Sequence, residues 1–226
     1  MIKSINNIFI STCFFITTIN AHVPENLPIY GSPSGENPLW TILICTLEER
    51  AEKFNYIYSK LLHQIHQLNL GAEIEILFFR DNREYTVGYK RNMLLERSRG
   101  KYVCFIDDDD DVHTKYIEII YRALQTNPDC VSLTGIMTTN GKKPQKFIHS
   151  VRYHSYFFRN GVFYRPPNHL NPIRRSIAIL YKFPETSMGE DTAWAMQIVQ
   201  GRLIKTEYAI KIPYYFYNFV HKGNPV

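Results

Sequence analysis

The sequence predicts a single Rossmann-like α/β domain with a mostly parallel central sheet, helices on both faces and antiparallel additions in the C-terminal half. Short apolar runs alternate with amphipathic helical patterns through the first half, as βαβ units require. The chain has 226 residues, enough to bury the core of one domain. It is 45% hydrophobic and 21% charged, so the composition is that of a globular protein and excludes a disordered chain.

Each apolar run of the first half has the length of a strand, and each helical pattern has one apolar face. The run WTILIC at 40–45 is typical of a strand buried on both faces of a parallel sheet. Apolar residues then recur on one helical face, and Gly71 suits the end of that helix. The predicted strands are 40–45, 73–79, 102–106 and 130–134, and the predicted helices are 50–68, 89–97 and 114–126.

Turn signals in the second half indicate antiparallel hairpins. Asn140-Gly141 and Asn160-Gly161 are dipeptides that favour tight hairpin turns. The residues that follow predict one further helix at 190–200 and β-prone runs at 204–212 and 214–220. We expect these antiparallel pieces to join the same sheet.

The N-terminus resembles a secretory signal peptide. Lys3 is the only charged residue before Glu25, an apolar run covers 8–19, and the small residue Ala21 follows. We therefore expect a leader at 1–21, a Pro- and Gly-rich linker arm at 22–39, and the domain at 40–226. This predicts a secretory or exported protein. The alternative is a cytoplasmic protein that associates with a membrane through its leader. The absence of apolar runs of about 20 residues excludes a multi-pass membrane protein.

Charge and cysteine content exclude two further classes. The chain carries 26 basic and 21 acidic residues, a surplus of +5, and this small excess does not indicate a nucleic-acid partner. Its four cysteines are too few for a disulfide-stapled scaffold of this length.

Three consecutive predicted strands each end in a polar cluster. The clusters are 46–50, 80–83 and 107–111. Because the carboxyl ends of parallel strands meet at one edge of the sheet, and ligands bind at that edge in open α/β folds, we expect the clusters to form one site.

The cluster at 107–111 consists of five consecutive aspartates. Adjacent carboxylates repel one another unless a proton or a cation relieves them. In an extended segment Asp107 and Asp109 point to the same side, and their hard oxygen ligands suit Mg²⁺, Mn²⁺ or Ca²⁺ better than Zn²⁺. The alternative is a solvated acidic turn that precedes a helix. The position directly after a buried strand favours the metal site.

Lys90 and Arg91 occur at a predicted helix start, close in sequence to the acidic run. A helix N-terminus with two cations is a ready anion site, and a neighbouring divalent ion makes a diphosphate the expected anion. The alternative is a solvated basic turn.

The segments ILICTLEER, LFFRDN, VGYKRNMLLERSRGKYVCFIDDDDDV and MGEDTAW resemble the family 2 glycosyltransferases of the GT-A fold, over about 40–200. The resemblance implies the following nucleotide-sugar contacts: Thr46, Glu48 and Arg50 near the base and ribose, Asp81 at the base, Lys90 and Arg91 near the diphosphate, and Asp107 and Asp108 in the DxD region. It implies Asp109 and Asp107 as metal ligands and Asp191 as the catalytic base, with Glu190 as its rival.

By this resemblance the protein is a metal-dependent inverting glycosyltransferase. It would use Mn²⁺ or Mg²⁺ to move a sugar from a nucleoside-diphosphate sugar to a hydroxyl of a glycan, lipid or protein acceptor. His221 is either a further metal ligand or an ordinary tail histidine. Two departures from the family pattern, Cys45 in place of the usual Pro and Arg80-Asp81 in place of two aspartates, leave the nucleotide open.

The acceptor side is less defined. The aromatic run at 153–164 forms either a sugar-stacking wall or a plain hairpin core. Residues 169–171 and the pair Arg174-Arg175 are further candidates for this side of the site.

Two other functions fit part of the pattern. A nucleotidyltransferase that makes an activated sugar would carry a Gly-rich loop after the first strand, and the loop at 46–50 has no glycine. A non-catalytic module would bind a cation or a glycan through the acidic loop.

Overall fold

The computed structural model describes residues 27–220. The predicted leader at 1–21 and His221 therefore lie outside the described residues. Within 27–220 no helix has the length and the apolar character needed to cross a membrane. Cys45, Cys104 and Cys130 are free thiols.

The strands form two sheets. They are β1 (Ile29–Gly31), β2 (Trp40–Leu47), β3 (Ile74–Asp81), β4 (Tyr102–Phe105), β5 (Asp111–Val112), β6 (Cys130–Val131), β7 (Leu133–Thr139), β8 (Lys142–His149), β9 (Phe157–Arg159), β10 (Val162–Arg165), β11 (Ile173–Arg174), β12 (Glu207–Tyr208) and β13 (Tyr215–Phe219). The helices are α1 (Ala51–Gln67), α2 (Val87–Arg97), α3 (Tyr116–Gln125), α4 (Arg175–Ala178) and α5 (Glu190–Gly201), with a 3₁₀ turn at Glu48–Arg50.

The central sheet has seven strands in the order β1-β3-β2-β4-β11-β6-β12. Its middle is parallel, since β2 pairs in parallel with both β3 and β4. Successive side chains of β2 point to opposite faces. Ile42 and Ile44 pack in the cluster that includes side chains of α1 and α3, whereas Leu43 packs with side chains of α2, α4 and α5. The prediction of helices on both faces of the sheet is therefore confirmed.

The C-terminal strands differ from the prediction. They do not all extend the central sheet, because most of them form a second sheet in the order β5-β13-β7-β8-β10-β9. The predicted strand at 130–134 is divided between the two sheets as β6 and β7. Both predicted hairpins are present as β7–β8 and β9–β10, with Asn140 and Asn160 at positive φ in their turns.

Two short strands of the central sheet were not predicted, one at its edge and one in its interior. Strand β1, in the expected linker arm, pairs antiparallel with β3. Strand β11 inserts between β4 and β6, where Ile173 pairs with both Val103 and Cys130. The insertion places the preceding turn beside the end of β4, where the N–H of Phe105 donates to the carbonyl of His169 at 2.7 Å.

Helix α2 starts earlier than predicted, so Gly88 lies in its first turn rather than before it. Thr86 caps the helix by accepting from the N–H of Tyr89. A Cβ at Gly88 would lie 1.7 Å from the carbonyl oxygen of Pro184. Only glycine permits this approach, which packs the segment at 184–187 against the start of α2.

Candidate active site

The polar ends of β2, β3 and β4 meet at one edge of the central sheet, as the topology predicts. A cavity of about 500 Å³ opens there. Its walls include side chains from the loop after β2, the segment before α2, the acidic run and the segment before α5. The predicted residues that line it are Thr46, Arg50, Lys90, Arg91, Asp107, Asp108, Asp109 and Glu190.

Protein side chains relieve the repulsion within the acidic run. Each aspartate has a cationic or hydroxyl partner: Asp107 with Arg91, Asp108 with Arg50 and Thr46, Asp109 with Arg50, Asp110 with Tyr215, and Asp111 with Lys60. Side chains of the protein itself therefore hold the run in its observed conformation.

Asp108 points inward from the cavity wall. Its Oδ2 accepts from the hydroxyl of Thr46 at 2.8 Å, and its Oδ1 lies 2.5 Å from Nη2 of Arg50. Burial raises the pKa of Asp108 to about 6, although the Thr46 hydroxyl and Arg50 oppose that shift. The same Arg50 nitrogen lies 2.6 Å from Oδ2 of Asp109, whose side chain is 43% exposed.

The surroundings of Asp107 stabilise its ionised form. Burial raises its pKa, but the combined effect of Arg91 and His169 is larger and holds the pKa well below its ordinary value. Arg91 Nη2 lies 3.1 Å from Oδ1 of Asp107. The neighbouring acidic groups also keep the pKa of the buried Arg91 guanidinium above its ordinary value, although burial opposes this.

Lys90 and Asp81 form a buried ion pair beneath the cavity. Lys90 Nζ lies 2.6 Å from Oδ1 of Asp81 and also donates to the carbonyl of Thr46 at 3.1 Å. Asp81 additionally accepts from the N–H of Tyr85. Lys90 therefore joins the end of β2 to the end of β3, and its charge is already balanced.

Glu190 and Asp191 start α5 but face different partners. Gly189 precedes them at φ 77°, a conformation that favours glycine, and turns the chain into the helix. Glu190 is buried, and its Oε1 accepts from Nε of Arg91 at 3.3 Å. Asp191 is 34% exposed and lines a second cavity of about 370 Å³. Asp107 and Asp109 line both cavities, so they form a wall between them.

Not every predicted site residue reaches a cavity. Glu48 is exposed in the 3₁₀ turn and lines neither cavity. Asp81 lies beneath the first cavity, in its pair with Lys90. Arg174 pairs with Asp129, and Arg175 donates to Ser98 and Glu96, and neither side chain lines either cavity.

Arg83, from the predicted cluster at 80–83, lines the first cavity. Sequence reasoning assigned no role to several other residues that line it, among them Glu84, Tyr85 and Ser187. Glu84 and Tyr85 follow β3 at the predicted edge, and that position was the available signal. Ser187 had no such signal because it is brought in by the packing of 184–187 on α2. His169, one of the residues suggested for the acceptor side, lines the second cavity.

The aromatic side chains of the hairpin β9–β10 pack against one another across its two strands. Phe157 stacks on Tyr164 with ring centroids 5.0 Å apart, and Phe158 contacts Phe163 at 4.6 Å. Phe157 and Phe158 remain 41% and 53% exposed.

No group of three or more His, Cys, Asp or Glu side chains within 27–220 is arranged to hold a metal ion by itself. Asp107 and Asp109, which line both cavities, are the carboxylates that would hold a hard divalent ion there. Mg²⁺ is commonly held by one or two carboxylates together with substrate phosphates and water. A complete protein cage is therefore not required.

Comparison with known proteins identifies the family. The sequence model of Glycosyl transferase family 2 matches residues 59–195, more than half of the chain. The chain therefore belongs to this family.

The fold is that of GT-A enzymes. The structure of residues 1–349 of TarS from S. aureus in complex with UDP-GlcNAc matches with a TM-score of 0.55 and 13% identity, over 82% of this chain and 59% of that chain. The same part of TarS in complex with UDP matches with a TM-score of 0.55 and 13% identity, over 79% and 60%. This chain thus spans about three fifths of those structures. No curated protein sequence matches the chain.

Proposed function

We propose that this protein is a metal-dependent, inverting glycosyltransferase that uses a nucleoside-diphosphate sugar. The observation that carries the proposal is the shared wall of Asp107 and Asp109 between two cavities. The first cavity contains the basic groups that suit a diphosphate. The second contains Asp191, so an acceptor bound there would meet the donor sugar at the wall.

The first cavity has the volume and polarity for a nucleotide sugar. Its volume of about 500 Å³ lies within the usual range for small-molecule sites. Tyr85 is 37% exposed in its lining and offers a ring face for a base. TarS, which shares the fold, forms a complex with UDP-GlcNAc, and UDP is therefore the first nucleotide to test.

In the proposed reaction Asp191 takes the proton of the acceptor hydroxyl, and the oxygen attacks the anomeric carbon opposite the leaving diphosphate. General-base assistance of this kind typically contributes about 10²- to 10⁴-fold. Arg91 is held at the wall by Asp107 and Glu190 and supplies positive charge to the diphosphate side. A divalent ion held by Asp109 and Asp107 would add charge stabilisation for the departing nucleoside diphosphate.

Thermal unfolding with ligands tests the donor site directly. Since a ligand that binds only the native state raises the midpoint, UDP with Mn²⁺ should raise it more than UDP or Mn²⁺ alone. In the Asp109→Asn variant, Mn²⁺ should no longer add to the rise in the unfolding midpoint, but UDP alone should still raise the midpoint in part. If none of ADP, GDP, CDP and UDP changes the unfolding midpoint of the protein, the result would contradict a nucleotide site.

Turnover distinguishes the proposed enzyme from the other functions. We expect Mn²⁺-dependent release of UDP from UDP-sugars, with water as a slow acceptor. Formation of a nucleotide sugar from a nucleoside triphosphate and a sugar phosphate would instead identify a nucleotidyltransferase. Cation binding without turnover of any nucleotide sugar would favour a binding module.

A further inference from the structure

His169 lies between the two carboxylates that the proposed reaction needs on either side of the transferred sugar. Its side chain is 4% exposed. Nε2 lies 3.5 Å from Oδ2 of Asp107, and Nδ1 lies 3.8 Å from Oδ2 of Asp191. Because the two nitrogens belong to one rigid ring and point in diverging directions, the imidazole bridges the two carboxylates.

The backbone fixes this histidine to the strand that ends in the acidic run. Its carbonyl accepts from the N–H of Phe105 at 2.7 Å, two residues before Asp107. The turn around it is closed, since the N–H of Leu170 donates to Oδ1 of Asn168 and the N–H of Asn171 donates to the carbonyl of Asn168. The ring therefore has a defined position relative to Asp107.

The Asp191 side of the ring is incompletely bonded. Nδ1 of His169 is buried and has no hydrogen-bond partner within residues 27–220. A buried polar atom without a partner is costly. Oδ2 of Asp191 is 3.8 Å away, and a small rotation of this partly exposed side chain brings the two atoms into hydrogen-bond range.

The two oxygens of Asp191 have different surroundings. Oδ1 accepts from the N–H of its neighbour Thr192 at 2.7 Å. Oδ2 faces His169. Oδ2 is therefore the oxygen available to an acceptor in the second cavity, and its direction depends on the imidazole.

We propose that His169 is a positioning residue that holds Oδ2 of Asp191 in line with the acceptor and ties it to Asp107. This inference rests on the proposed function, in which Asp191 is the base. His169 does not itself exchange a proton with the substrate in this arrangement. Its contribution is the geometry of the base, and a misplacement of about 1 Å can cost about 100-fold in rate.

Two substitutions at position 169 test the contacts of the two ring nitrogens one at a time. An asparagine at 169 can place its amide near the position of Nδ1, whereas a glutamine can place its amide near Nε2. For release of UDP from UDP-GlcNAc with Mn²⁺, His169→Gln should lower kcat about 100-fold, and His169→Asn should lower it less than tenfold. KM and the UDP-induced shift of the unfolding midpoint should stay within about twofold and about 1 °C of the wild-type values.

The exposed His154 supplies the control, and His154→Gln should leave kcat unchanged. In an Asp191→Glu background the carboxylate is already displaced. There His169→Gln should lower kcat by a clearly smaller factor than in the wild type, because the two residues act as one unit.

The proposal is overturned if His169→Gln keeps kcat within about twofold of the wild type, or if His169→Asn lowers kcat more than His169→Gln does. It is also overturned if His169→Gln lowers kcat by the same factor in the wild type and in Asp191→Glu. A parallel loss of UDP binding and thermal stability would instead identify a structural role. If the wild type neither binds UDP nor turns over any nucleotide sugar, the proposed function fails, and this inference fails with it. Wild-type turnover with no effect at position 169 refutes the inference alone.

Discussion

Arg91 donates from Nε to Oε1 of Glu190 at 3.3 Å, and both side chains are buried. This contact joins α2 to the start of α5, although the two residues are 99 positions apart in the chain. It also separates the functions of two adjacent acids. Glu190 is paired with Arg91, so in the proposed reaction the neighbouring Asp191 is the carboxylate that would face an acceptor.

The first prediction compares Asp191→Asn with Glu190→Gln. Asp191→Asn removes the base and should lower kcat by about 10²- to 10⁴-fold, while the affinity for UDP stays unchanged. Glu190→Gln removes a buried partner of Arg91 and should lower the free energy of unfolding by about 1–3 kcal/mol. Steady-state kinetics and urea unfolding of both variants measure these effects. Near-normal turnover of Asp191→Asn would reject it as the base.

The second prediction concerns the buried pair of Lys90 and Asp81. Lys90→Met leaves the carboxylate of Asp81 buried without its cation and should lower the free energy of unfolding by about 3–5 kcal/mol. The matched control is Arg122→Met, which breaks the exposed pair with Glu118 on α3 and should cost less than about 1 kcal/mol. Similar losses in the two variants, measured by urea unfolding, would show that the Lys90 pair is not structurally important.

The parallel core and the site edge were predictable because their signals are local. A run such as WTILIC is apolar on both faces only if both faces are covered, and polar residues directly after such runs must lie at the strand ends. The acidic run, Lys90 and Arg91 therefore came together as predicted.

The remaining features depend on contacts between distant residues. The β-prone aromatic residues of β13 specify a strand but not the sheet that it joins, and its partners β5 and β7 are about 80 to 100 residues away. Likewise, the position of His169 beside Asp107 depends on the insertion of β11 next to β4. The local sequence at 169 carries no signal for that contact.

The third prediction tests the close packing of α2 on the segment at 184–187. Gly88→Ala places a Cβ 1.7 Å from the carbonyl oxygen of Pro184, which is a steric overlap. Backbone atoms cannot shift as easily as the end of a side chain to relieve it. The free energy of unfolding should fall by about 1–3 kcal/mol, as for other overpacked sites. Gly71→Ala is the control, because a Cβ there meets no atom within 4 Å, and it should change stability by less than about 0.5 kcal/mol. A neutral Gly88→Ala would show that the segment yields easily.

The fourth prediction is an acid-dependent loss of stability from His149. The side chain is fully buried, with Nδ1 3.2 Å from Oδ1 of Asn171. Burial is the main reason that its pKa falls from 6.5 to about 3, with Arg165 and His169 adding to the shift and Asn171 opposing it.

Between pH 6.5 and 3 the unfolded chain therefore binds a proton at His149 that the folded chain does not. Stability from this residue is complete above about pH 6.5 and is lost as the pH falls towards about 3, with a slope that approaches about 1.4 kcal/mol per pH unit. In urea unfolding from about pH 7 to about pH 4, His149→Asn should show a shallower decline than the wild type, even if it is less stable at neutral pH. The exposed His154→Asn variant should keep the wild-type slope. Equal slopes for wild type and His149→Asn would mean that His149 is protonated in the folded protein, and that its burial does not exclude the charge.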